Sequence, residues 1–158
     1  MRKYAANPKG IRGRILLKKL RTGQDGIIAA GLANIEISPE SEILDIGCGD
    51  GFNIYNLLNK YQNIKATGID ISPLSCKKAK KLNKTYIKDN RCKIFNLDIK
   101  ELNFANKKFD LITAFRTVRF WTDLNTCAKN IFECLNDKGV FLITDHGGYD
   151  LDSLFKAL

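Results

Sequence analysis

The sequence predicts an α/β protein with a doubly wound, mostly parallel sheet. Short apolar runs alternate with segments of helical periodicity from Ser41 onward, and glycine or polar residues separate them. The helical segments are about 10 to 15 residues long, which is the length of the crossovers that join parallel strands. Because such crossovers are right-handed, successive helices can cover both faces of one sheet.

Five apolar runs predict five strands. The runs are rich in β-branched and aromatic residues, which favour strands, and turn-forming or polar residues follow them. Since ligands of open parallel sheets bind at the carboxyl ends of the strands, candidate site residues are sought directly after each run. The runs cover residues 43–46, 66–70, 92–97, 109–115 and 140–144.

Three apolar stripes at helical spacing predict the crossover helices between these strands. Ser72 with Pro73 suits the start of the second helix, Asp123 suits the start of the third, and Gly139 its end. Further helices are predicted over residues 13–20 and 25–34 and from Asp150 onward. The three stripes are Ile54, Leu57, Leu58 and Tyr61; Cys76, Ala79, Leu82 and Tyr86; and Leu124, Cys127, Ala128, Ile131, Phe132 and Leu135.

The net charge of +9 is concentrated in two segments. Residues 1–21 contain eight basic and no acidic residues, and residues 77–93 contain eight basic residues and one aspartate. The second segment surrounds the stripe of the second crossover helix, so we interpret it as a solvated helix face. The amino-terminal segment indicates an anionic partner.

The five cysteines predict neither a disulfide framework nor a metal site. Their number is odd, and they come without a Cys-x-x-Cys pair or a signal peptide. No apolar run reaches the roughly 18 residues of a membrane span. These features predict a soluble, cytoplasmic protein with reduced thiols and no membrane span.

The turn after the first strand carries the most specific motif. Gly47, Gly49 and Gly51 stand at alternate positions after Asp45. Glycines permit positive φ and let a ligand approach backbone N–H groups. A dinucleotide site would need the spacing Gly-x-Gly-x-x-Gly, whose third glycine would fall at Phe52, so this class is disfavoured.

Residues 44–51, Leu-Asp-Ile-Gly-Cys-Gly-Asp-Gly, resemble motif I of the class I S-adenosylmethionine-dependent methyltransferases. The resemblance extends over roughly residues 1–150. It implies a Rossmann-like fold that binds S-adenosyl-L-methionine across the ends of the first three strands. The cofactor contacts that it implies in this turn are Asp45, Gly47, Cys48, Gly49 and Gly51.

The same resemblance implies cofactor contacts after the other strands. Asp70, followed by Ile71, stands where the family has an acidic residue that accepts hydrogen bonds from the ribose hydroxyls, a role that suits an acceptor-only carboxylate. Asp98 and Ile99 stand where the family binds adenine. Phe115 ends the fourth strand and completes this set.

The segment after the fourth strand resembles the acceptor side of small bacterial methyltransferases of the quinone-biosynthesis-like type. The resemblance rests on Phe120-Trp121 and on the amino-terminal 7–10 segment, Asn-Pro-Lys-Gly. It implies methyl transfer to a small-molecule acceptor. Arg116 stands where that group has an acidic residue, which points to an acceptor that bears negative charge. His146, after the fifth strand, is the candidate general base.

The resemblance also divides the chain. We expect residues 1–37 to form an amino-terminal helical lid and residues 38–158 to form the S-adenosylmethionine-binding domain. Because the family continues beyond this point with another helix and a hairpin, we expect a sheet truncated after the fifth strand. Three explanations stay open: a truncated chain, a degenerate form of the family, or another subunit that covers the exposed edge of the fifth strand. Two alternatives stay open: a domain that binds the cofactor without transferring the methyl group, and an RNA methyltransferase that uses the basic segments.

Overall fold

Five parallel strands form one sheet in the order β3-β2-β1-β4-β5. A computed structural model of the chain describes residues 9–10, 25–104 and 107–144. The strand order reverses between β1 and β4, so the predicted α/β class with a parallel sheet is confirmed. The strands are β1 (Glu42–Ile46), β2 (Lys65–Asp70), β3 (Cys92–Asn96), β4 (Phe109–Phe115) and β5 (Leu135–Thr144).

Helices cover both faces of this sheet. Ile43 packs on one face with Ile54, whereas its neighbour Leu44 packs on the other face with Ile131, and all four are fully buried. This alternation follows from the two-residue period of a strand and confirms the doubly wound arrangement. The helices are α1 (Asp25–Leu32), α2 (Phe52–Lys60), α3 (Pro73–Leu82), α4 (Lys84–Lys88) and α5 (Leu124–Cys134), with 3₁₀ turns at Ile99–Glu101 and Val118–Phe120.

The second predicted crossover helix consists of two helices that meet at Asn83. The buried Asn83 side chain donates from Nδ2 to the carbonyl oxygens of Gly51 (3.0 Å) and Ala79 (3.1 Å). The helix ends at this residue, where the amide reaches the Gly51 carbonyl outside the helix and competes with the helical backbone. The stripe through Tyr86 therefore continues on α4 rather than on α3.

The structure corrects the predicted start of the fifth strand. β5 begins at Leu135 directly after α5, and its pairing with β4 shifts between Leu135 and Val140. Asn136 Nδ2 donates to Asp110 Oδ1 (2.5 Å) within this irregular stretch. Gly139 therefore lies inside the strand, and the prediction that it ends the helix is wrong.

The amino-terminal part is described only from Asp25 onward, apart from Lys9 and Gly10. Helix α1 approaches β5 closely, because a Cβ placed on Gly31 would lie 2.9 Å from Thr144 Cγ2. The predicted helices over residues 13–20 and from Asp150 lie outside the described residues. Across the described ranges, no helix has the length and apolar character needed to cross a bilayer.

The five cysteines have free thiols and are buried. Burial raises the pKa of Cys92 to about 12 and that of Cys127 to about 11. Thiols in such surroundings stay protonated and behave as small core residues.

Candidate functional site

A cavity of about 360 Å³ lies at the carboxyl ends of the strands, where the strand order reverses. Its lining comes from the loops after β1, β2, β3 and β4, so one space collects residues that are far apart in sequence. It brings together most of the residues predicted for the site: Gly47, Cys48, Gly49, Asp70, Ile71, Asp98, Ile99, Phe115 and Arg116.

The glycine turn is held against the end of β2. The N–H groups of Gly47 and Cys48 both donate to the Ile69 carbonyl oxygen (2.8 and 3.0 Å). Gly47 has a φ of 72°, and a Cβ there would lie 2.8 Å from Thr117 Cβ. Gly49 has a φ of 57°, and a Cβ there would have no atom within 4 Å. Gly49 therefore leaves open space beside its backbone, where a ligand can lie.

Asp70 connects the end of β2 to the glycine turn. Its Oδ2 accepts from the Gly49 N–H (2.9 Å) and its Oδ1 from the Ser72 N–H (2.8 Å). Burial raises the pKa of Asp70 to about 6, although these two hydrogen bonds lower it. Each carboxylate oxygen has a second lone pair, so Asp70 can accept further hydrogen bonds from a ligand in the cavity.

Asp45 does not line the cavity, although the sequence places it among the cofactor contacts. Its Oδ1 accepts from Thr113 Oγ1 (2.8 Å), which directs the buried side chain toward β4. Its Oδ2 has no hydrogen-bond partner among the described residues. Burial raises the pKa of Asp45 to about 7; the Thr113 bond lowers it, and the nearby Asp70 charge raises it.

Gly51 also lies away from the cavity lining. A Cβ there would lie 2.7 Å from Asn83 Nδ2 and 2.8 Å from Ala79 Cβ, and the φ of 78° favours glycine in any case. The structure therefore explains this third glycine by the packing of α3 against the turn. A direct ligand contact is not needed to explain it.

The loops after β2 and β3 form a wall with an acidic and an apolar part. Asp98 Oδ1 accepts from the Lys100 N–H (3.0 Å), and Lys100 Nζ lies 3.9 Å from Asp98 Oδ2. Ile99 is buried, whereas Ile71 lines the cavity with 40% of its surface exposed. Ile71 and Asp98 thus offer the same cavity an apolar surface and a carboxylate, a mixture that is typical of small-molecule sites.

The loop after β4 forms the wall that carries positive charge. Arg116 has a φ of 57°, and its N–H donates to the Thr144 carbonyl oxygen (2.7 Å). The guanidinium carbon of Arg119 lies 5.8 Å from the Phe120 ring centroid. Both arginines line the cavity together with Phe120 and Trp121. His146 lies outside the described residues.

Several lining residues are not among those predicted from the sequence. Phe52 and Asn53 lie in the first turn of α2, directly after the glycine turn, and this adjacency is a signal that could have identified them. Thr117 also lines the cavity, but its contact with Gly47 joins residues from different loops. No local pattern in the sequence indicates that contact.

Comparisons with known proteins agree on one family. The chain is 30% identical over 118 residues to the malonyl-[acyl-carrier protein] O-methyltransferase of Priestia megaterium, which covers 75% of this chain and 41% of that protein. It is 27% identical over 122 residues to a sterol 4-C-methyltransferase of Caenorhabditis elegans, covering 75% of this chain and 36% of that protein. The chain thus spans about two fifths of the length of these curated relatives.

A solved structure shows the same fold. The TehB-like SAM-dependent methyltransferase from Corynebacterium glutamicum superposes with a TM-score of 0.70 at 22% identity, covering 91% of this chain and 77% of that one. A family described as a methyltransferase domain matches residues 37–157. That match includes all five strands and the loops that line the cavity, so the chain belongs to the class I S-adenosylmethionine-dependent methyltransferases.

Proposed function

We propose that this chain binds S-adenosyl-L-methionine in the cavity and transfers its methyl group to a small-molecule acceptor. The observation that carries the proposal is the hydrogen bond between the Gly49 N–H and Asp70 Oδ2 (2.9 Å). It brings the glycine turn and the acidic end of β2, which are the two most specific parts of the sequence motif, into one cavity.

The lining fits the parts of this cofactor. Asp70 has lone pairs for the ribose hydroxyls, and Gly49 leaves open space beside its backbone. Asp98 and Ile71 offer a polar and an apolar surface to adenine. Asp45 is buried outside the lining, and its Oδ2 is unpartnered among the described residues, so its role in offsetting the ammonium group through water stays a proposal. When bound, S-adenosylmethionine supplies an electrophilic methyl group on a sulfonium.

The contribution of the chain to catalysis is chiefly positioning. Holding a nucleophile in line with an activated methyl group supplies much of the rate enhancement without a strong acid or base. The wall formed by Arg116, Phe120 and Trp121 is the surface that would hold the acceptor. We propose His146 as the general base for those acceptors that must lose a proton.

The size and charge of the cavity support a small acceptor. A volume of about 360 Å³ is within the range of small-molecule sites. Its lining carries both signs of charge, in contrast to the uniformly basic grooves that bind RNA. The charged residues of the lining are Asp50, Asp70, Asp98, Lys100, Arg116 and Arg119.

Two measurements test the proposal in sequence. Calorimetry with S-adenosylmethionine and S-adenosylhomocysteine should show binding, and the absence of heat at millimolar ligand would contradict the cofactor assignment. Cofactor labelled in the methyl group is then incubated with a small-molecule extract and, separately, with total RNA. Label should enter the small-molecule fraction. Label in RNA would favour the RNA methyltransferase, and binding without transfer would favour a non-catalytic domain.

We also propose a subunit contact along the outer edge of β5. Among the described strands, β5 pairs only with β4, and Val140 on β5 has 42% of its surface exposed. Unpaired strand edges tend to bind other strands. Light scattering after gel filtration should give a mass above that of a monomer, and a monomeric mass across micromolar concentrations would contradict this contact.

A further inference from the structure

Arg116 has three features that its contacts with the described residues do not explain. It lines the cavity, it occupies the left-handed region with a φ of 57°, and its Nε is buried without a hydrogen-bond partner among the described residues. A non-glycine residue is rarely held in this conformation unless the surroundings require it, and such residues cluster at functional sites.

A buried guanidinium N–H without a partner is costly, so an acceptor group is expected to approach it. Two carboxylates of the lining already accept hydrogen bonds from other groups. Asp70 accepts from the Gly49 and Ser72 N–H groups, and Asp98 accepts from the Lys100 N–H and faces its ammonium group. Within the part of the chain that the structure describes, no acceptor reaches the Arg116 Nε–H, so a ligand in the cavity can supply one.

We propose that Arg116 binds a carboxylate group of the methyl acceptor. The inference rests on the proposed function, because it assigns the chemistry of the acceptor in the same cavity. A guanidinium offers Nε–H and Nη–H as a planar fork, and a carboxylate accepts from both. Lysine has no such fork, so the identity of the side chain as well as its charge matters at this position.

A carboxylate fits this cavity better than a phosphate dianion. The lining contains Asp50 and Asp98 as well as Asp70, so its cationic groups do not outnumber its anionic ones. Arg116 balances a single negative charge, whereas a second one would add to a lining whose cationic and anionic groups are already equal in number. Phe120 and Trp121 in the same wall provide an apolar surface for the carbon skeleton of the acceptor.

The test uses the full chain and matched pairs of small probes. The protein is saturated with S-adenosylhomocysteine, and dissociation constants are measured by ligand-observed NMR for butyrate and butyramide, benzoate and benzamide, and malonate and malonamide. The variants are Arg116→Gln and Arg116→Lys. Lys65→Gln is the control, because Lys65 is an exposed cation at the opposite end of β2.

We expect at least one carboxylate to bind the wild-type complex tenfold or more tightly than its amide. The preference should fall to threefold or less in Arg116→Gln, be partly retained in Arg116→Lys and be unchanged in Lys65→Gln. The affinity for S-adenosylhomocysteine should change by less than twofold in the Arg116 variants, and that value also shows that they are folded.

Three results would overturn the inference. One is no carboxylate preference for any pair, and another is a preference that persists in Arg116→Gln. The third is a tenfold loss of S-adenosylhomocysteine affinity in Arg116→Gln, which would assign the guanidinium to the cofactor's own carboxylate. Wild-type protein that does not bind S-adenosylhomocysteine would instead contradict the proposed function, and this measurement is made before any probe is added.

Discussion

The backbone N–H of Gly49 donates a 2.9 Å hydrogen bond to Oδ2 of Asp70. The two residues belong to loops that follow adjacent parallel strands, β1 and β2. Because Oδ1 of Asp70 also accepts from Ser72, the carboxylate is fixed in the cavity before any ligand arrives. Such preorganisation lowers the entropy lost on binding.

Replacing Asp70 by Ala should weaken binding of S-adenosylhomocysteine by about 1.5 to 3 kcal/mol, the scale of hydrogen bonds to a charged group. This corresponds to roughly a 10- to 150-fold rise in the dissociation constant. Calorimetry measures it directly. Asp110→Ala is the matched control, because Asp110 Oδ2 also accepts from a backbone N–H, that of Glu42 (2.8 Å), but outside the cavity lining. Equal affinities of the Asp70 and Asp110 variants would remove Asp70 from the binding site.

The pH dependence of folding should report on Asp45. Burial raises its pKa from 3.8 to about 7, so the folded protein holds this proton at pH values where the unfolded chain has lost it. Stability from this group is therefore greatest at low pH and is lost as the pH rises from about 4 to 7. Asp45→Asn, which cannot ionise, should lack this loss.

Chemical denaturation of wild type and Asp45→Asn between pH 5 and 8 measures the effect. Wild type should lose free energy of unfolding relative to the variant, on the order of 2 kcal/mol over this range. The Asp70 carboxyl, whose pKa is raised to about 6, acts in the same direction but is present in both proteins. Parallel pH profiles of the two proteins would show that Asp45 is ionised at low pH in the folded state.

The parts of the fold that depend on neighbouring residues could be predicted from the sequence. Apolar runs such as 109–115 mark strands, and the strand bounds of β4 are those predicted. The glycine turn could be predicted because its spacing reflects local backbone conformation, and Gly47 and Gly49 do have positive φ. Asp70 could be placed beside this turn because adjacent parallel strands end at one edge of the sheet.

Contacts between distant residues decided the parts that could not be predicted. Asp45 turns away from the cavity because Thr113, which is 68 positions later, donates to it. Asn83 interrupts a continuous helical stripe because its amide reaches Gly51, 32 positions earlier. Leu135 begins a strand because it pairs with Phe109, although the residues that follow it are of types that are typical of a turn.

The second and third glycines of the turn, Gly49 and Gly51, should respond differently to alanine. Gly51→Ala forces a methyl group against Ala79 and strains a φ of 78°, so it should lower the free energy of unfolding by about 2 to 4 kcal/mol. Gly49→Ala has only the backbone strain, about 1 to 2 kcal/mol. Its methyl group, however, enters the open space beside the turn and should weaken S-adenosylhomocysteine binding at least tenfold.

Thermal unfolding measures the stability of both variants, and calorimetry measures their affinity for S-adenosylhomocysteine. We expect the two rankings to be opposite. Gly51→Ala should be the less stable protein yet bind S-adenosylhomocysteine within threefold of wild type at a temperature where it is folded. If Gly51→Ala is also the weaker binder, the third glycine contacts the ligand and its explanation by packing against α3 is wrong.

Arg116→Gly should make the protein more stable while removing its proposed contact with the acceptor. Glycine relieves the strain at a φ of 57°, which stabilises the folded protein by about 1 to 2 kcal/mol. It also increases the conformational entropy of the unfolded chain, which lowers the free energy of unfolding by about 0.4 to 1 kcal/mol. The expected net gain in the free energy of unfolding is therefore about 0.8 kcal/mol, within a range of about 0 to 1.6 kcal/mol.

Denaturation of Arg116→Gly beside Glu40→Gly separates the backbone effect from the side-chain effect. Glu40 is exposed and has a φ of 68°, so it offers the same relief of strain away from the cavity. Similar gains in both variants, with the carboxylate preference lost only in Arg116→Gly, would show that the fold tolerates Arg116 at a cost for the sake of a ligand. A loss of stability in Arg116→Gly alone would show that the guanidinium holds the loop after β4 together, and its unpartnered Nε would then need another explanation.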